Sequence, residues 1–561
     1  MSTPQLRRGM KGVKQCVLVM AACAVGTARA FTFDTGPDWA VNLDNSVQYT
    51  LGWRMQKINP LIGNDLFFSQ GDYKFPNLGE MVTDRAQDLI EFQASYEKRL
   101  GMRVTGSVWK DFAYDNEAKQ NPAYSFINAY SPNGDRYTSY AHRYFVEGAE
   151  FLDAFVFANG TIGEIPVYAK AGRFTQYWGN AFFFGFSNIA YSQHPIDYIK
   201  GFTQPGSEVK ELFLPRNQVM LSADLTPTLS VAAQYFLEFQ PNRYPESGTY
   251  LGFFDVLFNQ PGSGALQGFG IPRNDGEILP PNNDQNYGVK VSWSPEWAHG
   301  DLGFYYRQFD EVDPWAALVN PATGDLQSTF ARKAKLWGIS YERTFGLTST
   351  GFEVNERFDT ALNSAALAPT NTGATGTITN AIANVFVQLG HTSIWDTGVW
   401  LAEFSYTHLN SVTGNASLYN GVGTANCHLN GTAAPGGWMD GCSTRNALAF
   451  ATLFDPQWLQ VFPGIDIDTP ISLTTGIFGN PAYRAGAFYA QASKIYSVGV
   501  KATYKARHSV ELQYNGYYWR PNGTADNGLG IGLPAYAGFG GNGPVSLNDR
   551  GWLQLTFKTS F

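Results

Sequence analysis

Strict alternation between apolar and polar side chains is the dominant pattern along the chain. In residues 47–56 the odd positions hold Val, Tyr, Leu, Trp and Met, whereas the even positions hold Gln, Thr, Gly, Arg and Gln. Successive side chains of a β-strand point to opposite faces, so this strand has one apolar and one polar face. The pattern recurs in residues 218–225, 229–239, 287–293, 497–504 and 510–515. It predicts an all-β protein.

Charged residues on the polar faces decide what kind of β-structure this is. A dry core between two packed sheets would penalise them, whereas a water-filled lumen would not. We therefore predict a closed antiparallel transmembrane β-barrel whose apolar faces meet lipid. Both signs occur among the expected lumen-facing charges, which favours a mixed-charge lumen over a basic ladder that attracts anions: Arg54, Lys290, Lys501, Lys558, Glu238, Glu403 and Glu511.

Short and long connections alternate between the predicted strands. Short turns are expected near residues 98–101, 226–228, 344–347 and 506–508, and long Gly/Pro/Asn-rich connections at 241–286 and 410–446. Outer-membrane barrels have short periplasmic turns and long external loops. At about 30 residues for each strand with its connection, the mature chain holds about 18 strands, with roughly 16 to 20 allowed. A barrel of that size encloses an aqueous path unless loops fill it.

The composition is compatible with a barrel and argues against other classes. Of the 561 residues, 15% are aromatic and only 15% are charged, compared with about 25% charged in typical soluble domains. After the N-terminal region no apolar run reaches the roughly 18 residues that a transmembrane helix needs. The net charge of −8 gives no reason to expect a nucleic-acid partner.

Residues 1–30 have the features of a secretory signal peptide. A short apolar run at 16–26 is followed by Ala28-Arg29-Ala30, a small-x-small cleavage pattern. The run is too short for the alternative, a membrane anchor. Cleavage after Ala30 would leave residues 31–561 as one barrel in the bacterial outer membrane. Four basic side chains precede the run: Arg7, Arg8, Lys11 and Lys14.

Two cysteines are left after the predicted cleavage, Cys427 and Cys442, in a stretch rich in Gly, Asn and Ser. In an exported protein such a pair predicts a disulfide within one loop. Metal binding is the alternative, but the two cysteines with His428 fall short of the four ligands of a structural zinc site. We expect neither a metal nor a cofactor.

The chain ends in a strand-like segment, residues 552–561, whose last residue is Phe561. It resembles the C-terminal signal by which the outer-membrane assembly machinery recognises its substrates. The alternative is an ordinary final strand that happens to end in Phe. Outer-membrane lipid and that machinery are therefore expected partners.

The connection 175–217 is the candidate functional segment. It is about forty residues long and unusually rich in aromatic residues, whereas a purely solvated loop would be more polar. We predict that it folds into the barrel and narrows the lumen; packing on the barrel rim is the alternative. Its charged members are expected to be paired structural groups more often than ligands. The candidate residues for a ligand path or constriction are Arg173, Tyr177, Trp178, Asn180, Phe182, Phe183, Asp197 and Lys200.

Several motifs together resemble one bacterial family. They are FLDAFVF (151–157), GRFTQYWGNAFFFGF (172–186), PIDYIKG (195–201), EVKELFLP (208–215) and FPGIDIDTPISL (462–473). In order and spacing they are similar to the proteobacterial outer-membrane family catalogued as domain of unknown function 1302. That family commonly has Trp-Gly-Glu-Ser where this chain has Trp-Gly-Asn-Ala at 178–181.

The resemblance implies an outer-membrane barrel, often encoded beside exporters and lipid-carrier-like proteins. We therefore expect passive diffusion of small hydrophobic or amphipathic molecules through a channel. A plugged barrel that docks a periplasmic carrier or exporter is the alternative. A hydrolase at the rim, for example with His194 beside Asp197, is a minor one, because the chain has no HExxH, GxSxG or GxxxxGK[ST] motif.

Overall fold

The computed structural model describes most of the chain after residue 30. The described ranges are 31–33, 36–65, 70–124, 136–203, 209–246, 248–253, 282–315, 318–319, 326–364, 373–428, 434–526, 532–536 and 542–561. The predicted signal peptide, 1–30, lies outside them.

Eighteen antiparallel strands form one closed sheet within these ranges, which confirms the predicted fold class and strand number. Each strand pairs with its sequence neighbours, and β1 also pairs with β18. The strands are β1 Trp39–Arg54, β2 Met81–Tyr96, β3 Leu100–Asp111, β4 Glu147–Ile162, β5 Ile165–Phe174, β6 Arg216–Thr226, β7 Leu229–Phe236, β8 Tyr287–Trp293, β9 Asp301–Phe309, β10 Ala334–Phe345, β11 Thr348–Ala361, β12 Thr375–Leu389, β13 Thr397–Gly414, β14 Asn446–Phe462, β15 Ile465–Asp468 and Ile471–Phe478, β16 Lys494–Tyr504, β17 His508–Tyr518 and β18 Trp552–Ser560.

The seam between β1 and β18 closes the barrel. Its register runs from Ser46 opposite Ser560 to Arg54 opposite Trp552. Phe561 extends the seam, because its N–H donates to the carbonyl of Asn45 and its carbonyl accepts from the N–H of Asn45, at 2.9 and 2.8 Å. The short strand Phe31–Phe33 pairs with the other part of β1. Closure leaves no unpaired edge in the barrel wall, as a lipid environment requires.

The apolar rows point away from the barrel and the polar rows point into it. On β6, Val219 and Leu221 are 42% and 51% exposed, whereas the neighbouring Gln218 is 1% exposed. On β16, Val498 and Val500 are similarly exposed. An outer surface of this kind is stable against hydrocarbon and would be costly in water. The outward direction predicted for the apolar side chains is confirmed, and the wall is that of a transmembrane barrel.

The two ends of the barrel differ in the length of their connections. At one end, turns of two to seven residues join β2 to β3, β4 to β5 and so on to β16–β17. At the other end the connections are long, for example 237–286 between β7 and β8 and 415–445 between β13 and β14. A disulfide joins Cys427 to Cys442 within 415–445, with the Cα atoms 5.6 Å apart.

Short helices occur only in connections among the described residues, and none of them is long and apolar enough to cross a membrane. Five are α1 Pro60–Gly63, α2 Gln70–Lys74, α3 Ser139–Ala141, α4 Tyr198–Thr203 and α5 Val209–Leu212, with one π-helical turn at His142–Val146. The 3₁₀ turns are Pro122–Tyr124, Glu296–Ala298, Ala416–Leu418, Trp438–Asp440, Gly486–Tyr489 and Val545–Asp549. Two small ladders pair Leu318–Val319 with Leu326–Gln327 and Thr524–Asp526 with Pro534–Tyr536.

The largest hydrophobic core among the described residues is built mainly by the long connections, with a smaller contribution from strand residues such as Leu336 and Tyr517. Phe186, Tyr244, Phe253, Phe488 and Trp519 come from four different connections and are all buried in one cluster. Since the apolar rows of the strands face outward, the connections supply the apolar interior. This core lies at the end of the barrel that carries the long connections.

Candidate functional site

The connection between β5 and β6, residues 175–215, is the inner segment. Its described parts, 175–203 and 209–215, include α4 and α5. Residues 180–189 hydrogen-bond to inward-facing side chains of β11 and β13, which lie six and eight strands round the barrel from β5. The inner segment therefore extends across the barrel interior to the opposite wall.

Glu353 of β11 holds the first part of the inner segment. Its carboxylate accepts the backbone N–H groups of Ala181 and Ile189, both at 3.0 Å, and that of Asn180. The side chain is buried, so these charge-assisted bonds are not weakened by solvent. Gly179 is required beside it, because its φ is +93° and an added Cβ would lie 2.2 Å from Glu353 Oε1.

Glu403 of β13 holds the next turn in the same way. It accepts the N–H groups of Phe182, Phe183 and Phe184 at 2.6, 2.9 and 3.0 Å. Asn384 on β12 donates to Glu403 at 3.2 Å and to the carbonyl of Asn180 at 2.8 Å. Glu403 was predicted only as a lumen-facing charge; the structure gives it the role of an anchor for the inner segment.

Buried arginines satisfy the carbonyl groups that follow. Arg307 of β9 donates to the carbonyls of Ile189 and Tyr191 at 2.9 and 2.7 Å. Arg216 of β6 donates to the carbonyls of Ser192 and Gln193, both at 3.0 Å. The guanidinium of Arg357 lies 4.0 Å from the centre of the Tyr191 ring. Carboxylates thus receive the N–H groups and arginines donate to the carbonyls, which lets irregular backbone lie inside the barrel.

The predicted charged site residues form ion pairs. Lys200 contacts Glu150 of β4 at 2.8 Å, and Asp197 contacts Arg243 at 3.0 Å. Arg243 also contacts Glu150 at 2.7 Å, which joins the two pairs into one network. Asp197 and Lys200 are buried. These charges fix the inner segment to β4 and to the connection 237–286.

Three other predicted residues also have structural partners. Arg173 pairs with Glu238 at 3.2 Å. Trp178 is 2% exposed and packs against Tyr305 of β9. Asn180 donates from its side chain to the carbonyl of Tyr341 at 3.1 Å. None of the three lines the cavity described next.

A cavity of about 430 Å³ separates the inner segment from β15, β16 and β17. Of the predicted ligand-path residues, Tyr177, Phe182 and Phe183 line it. Its segment side is mostly aromatic or apolar, including Phe186, Tyr198, Phe202 and Phe213. The wall side is uncharged and mixed: it has the polar side chains Ser472, Ser497, Gln513 and Asn515 beside Ile495, Tyr496 and Tyr517.

No Asp, Glu, Lys or Arg is among the described residues that line the cavity. His194 is the one histidine among the described lining residues, and burial lowers the pKa of this imidazole to about 3, so the ring is neutral at physiological pH. His194 packs on Phe213 with ring centres 3.9 Å apart, and its Nδ1 lies 3.4 Å from the carbonyl of Gln176. Asp197 is engaged by Arg243 instead, so the two residues considered for a hydrolase do not form a pair.

The second side of the cavity was missed from the sequence. Strands β15 to β17 were predicted as ordinary wall, and the connection 479–493 was not singled out. That connection supplies Tyr489, which lines the cavity, and Phe488, whose ring stacks near Phe186. The signal that selected 175–217, many aromatic residues in a connection, is also present in AYRAGAFYA at 482–490. Among the described residues no cluster of three or more His, Cys, Asp or Glu side chains could hold a metal ion.

Comparison with known proteins places the chain in a family. Residues 11–561 match the protein family of unknown function DUF1302, nearly the whole chain, and the chain belongs to this family. The family assignment from the motifs is thereby confirmed. No curated protein matches the chain.

The chain is also similar to several solved structures. OccAB2 of Acinetobacter baumannii is 9% identical, with 93% of this chain and 98% of that chain covered and a TM-score of 0.41. The outer membrane channel DcaP of Acinetobacter baumannii is 9% identical, with 95% and 100% covered and a TM-score of 0.35. OpdK of Pseudomonas aeruginosa, solved with vanillate, is 10% identical, with 93% and 98% covered and a TM-score of 0.40.

Proposed function

We propose that the protein is an outer-membrane channel through which small hydrophobic or amphipathic molecules diffuse down their concentration gradient. The observation that carries the proposal is the cavity beside the inner segment, which lies inside the lipid-facing barrel, is aromatic on one side and has no charged side chain among its described lining residues. Passage requires a site that binds well enough to admit a solute and weakly enough to release it. Stacking and apolar contact without ion pairs supply binding of that kind.

The proposal assigns two tasks to the inner segment. Its anchored side, held by Glu353, Glu403 and the buried arginines, sets the width of the lumen. Its free aromatic side, with Tyr177, Phe182 and Phe183, forms the weak binding surface. The same proposal includes three further steps or contacts. The signal peptide directs export, the assembly machinery recognises Phe561, and the barrel contacts a periplasmic carrier or exporter.

Uptake by a strain that lacks the gene tests the channel. We expect uptake of amphipathic and apolar solutes to slow in that strain and to recover when the unaltered gene is returned. Phe183→Ala should change the order of uptake rates within the solute panel, because Phe183 lines the cavity. Phe352→Ala is the matched control, since Phe352 is 49% exposed on the outer surface of β11. Equal uptake with and without the gene for every polar and apolar solute would contradict the channel.

A further inference from the structure

We propose that the cavity binds an uncharged compound of two or three rings that carries a hydroxyl or carbonyl group. The inference deepens the channel function proposed above and rests on it for the route by which the compound arrives. It is argued from the size of the cavity, from its aromatic side, from two buried amide groups and from its lack of charge.

The volume of the cavity sets the size of the compound. An engineered apolar cavity of about 150 Å³ holds one benzene molecule. At about 430 Å³ this cavity is nearly three times as large, and it lies within the range of ordinary ligand sites. Two or three fused or linked rings would therefore fill it.

The aromatic side of the cavity favours flat rings. Phe186 and Tyr198 line the cavity, and their rings are nearly parallel at 14°, with centres 5.7 Å apart. The ring of Phe488 continues the set, at 8° and 6.1 Å from each of them. Aromatic rings at such distances interact beyond simple area burial. A planar apolar molecule can extend this existing arrangement.

Two buried amides on opposite sides of the cavity supply the polar recognition. Asn515 of β17 is 6% exposed; its Oδ1 accepts from Gln513 at 2.8 Å, and its Nδ2 has no partner among the described residues. Asn188 of the inner segment is 3% exposed; its Nδ2 donates to the Tyr177 hydroxyl at 3.0 Å, and its Oδ1 likewise has no partner there. A buried polar group without a partner is costly. Both residues line the cavity, although the two unpartnered atoms are themselves enclosed. In the proposed complex each amide turns towards the cavity, so that a ligand hydroxyl or carbonyl accepts from the first and a hydroxyl donates to the second.

The uncharged lining excludes ionised compounds. A carboxylate in the cavity would meet aromatic rings, hydroxyls and amides but no cation among the described lining residues. Burying an unpaired charge costs far more than burying a hydroxyl that finds a hydrogen bond. The cavity should therefore separate a phenol-like compound from a carboxylate of the same ring system.

Isothermal titration calorimetry on the full chain in lipid nanodiscs, against empty nanodiscs, tests this with three probes: 2-naphthol, 2-naphthoate and naphthalene. We expect 2-naphthol to bind at least about tenfold more tightly than 2-naphthoate, because the carboxylate is buried without a partner. Equal or tighter binding of 2-naphthoate would overturn the proposal, whatever the behaviour of any variant.

Variants at Asn515 test the polar contact. Asn515→Ala should weaken 2-naphthol by about three- to tenfold, the contribution of one hydrogen bond, and leave naphthalene unchanged. Asn515→Asp keeps the acceptor for Gln513 and removes the donor, so it should weaken 2-naphthol at least as much. Asn159→Ala is the matched control, because Asn159 is exposed at the short-turn end of the barrel. Equal weakening of naphthalene and 2-naphthol in both Asn515 variants would contradict a polar contact.

The outcome also separates this inference from the channel itself. If 2-naphthol binds more tightly than 2-naphthoate but does not enter proteoliposomes that contain the protein, the channel is contradicted and the binding site is not. Flux without the expected order of binding would contradict the binding site alone.

Discussion

The two sides of the inner segment use opposite chemistry. Towards β4 and β6 to β13, its backbone and side chains meet buried charges, for instance Glu353, Glu403 and Arg307. Towards β15 to β17, it faces a cavity whose described lining carries no charged side chain. Both sides lie in the same barrel interior, so burial alone does not explain the difference. Charge marks the side that is held in place, and in the proposed channel its absence marks the side along which a solute moves.

Of the changes considered, removal of the Glu403 carboxylate should weaken the attachment of the inner segment to the wall most. Glu403→Ala leaves three N–H groups without their acceptor, at a cost of about 1–3 kcal/mol for each one that stays buried. We expect residues 182–184 to detach from the wall, which would raise single-channel conductance in planar bilayers and speed the hydrogen exchange of these three residues. Glu511→Ala is the control, because Glu511 is also an inward-facing acid but lies on β17. Unchanged conductance and exchange in Glu403→Ala would show that the anchor does not hold the segment.

Glu150 provides the next test of the anchored side. It pairs with both Lys200 and Arg243, and its side chain is 4% exposed. Glu150→Gln would leave two cations with one remaining carboxylate, Asp197, and breaking a buried ion pair typically costs about 3–5 kcal/mol. We expect lower resistance to thermal unfolding in detergent, with the 2-naphthol preference of the folded protein unchanged. The exposed pair of Lys110 and Glu147 offers the control Glu147→Gln, which should change stability little.

If folded Glu150→Gln loses the preference for 2-naphthol over 2-naphthoate, the anchored side influences binding in the cavity. That result would contradict the separate roles of the two sides. A stability equal to that of the unaltered protein would instead show that the network contributes nothing to holding the inner segment.

The smallest expected effect is a pH dependence of the thermal stability that comes from His194, on the uncharged side of the inner segment. Burial lowers the pKa of His194 to about 3, whereas the unfolded chain protonates this histidine near its ordinary pKa of 6.5. This group therefore destabilises the fold as the pH falls from 6.5 towards 3, by about 2–3 kcal/mol at pH 4.5. His194→Gln should reduce the loss of thermal stability between pH 7 and pH 4.5. His391→Gln, at a side chain that is 77% exposed, should not, and an equal pH dependence in all three proteins would mean that His194 is accessible to protons.

Much of the barrel could be predicted from the sequence because its signals are local. The outward rows of β6 and β16 are visible as alternation within a few residues, and the turn at residues 227–228 follows from Pro227 and its neighbours. The connection 175–217 was also singled out from a local signal, its excess of aromatic residues.

Which side of the inner segment is anchored and which side lines the cavity could not be predicted, because this depends on contacts between residues that are distant in the sequence. Glu403 accepts a hydrogen bond from Phe183, which is 220 positions away in the sequence. The alternating pattern of β13 shows only that the Glu403 side chain points inward. Asp197 and Lys200 were candidates for the ligand path, but their partners on β4 and in 237–286 occupy them. The polar wall of the cavity, with Asn515, is recognisable only once β17 and the inner segment are known to face each other.

The seam between β1 and β18 has a consequence for biogenesis. Ser46 and Ser560 are 514 positions apart, so the seam closes a loop that includes almost the entire barrel, and this closure has a large entropic cost. Until the seam forms, β1 and β18 each carry a row of unpaired backbone groups; in a chain without β18 the unpaired rows are on β1 and β17. Each such group costs several kcal/mol in hydrocarbon. A product of interrupted translation that stops before Trp552 has no way to satisfy them. The cell should therefore find such fragments among the substrates of its periplasmic proteases rather than in its envelope.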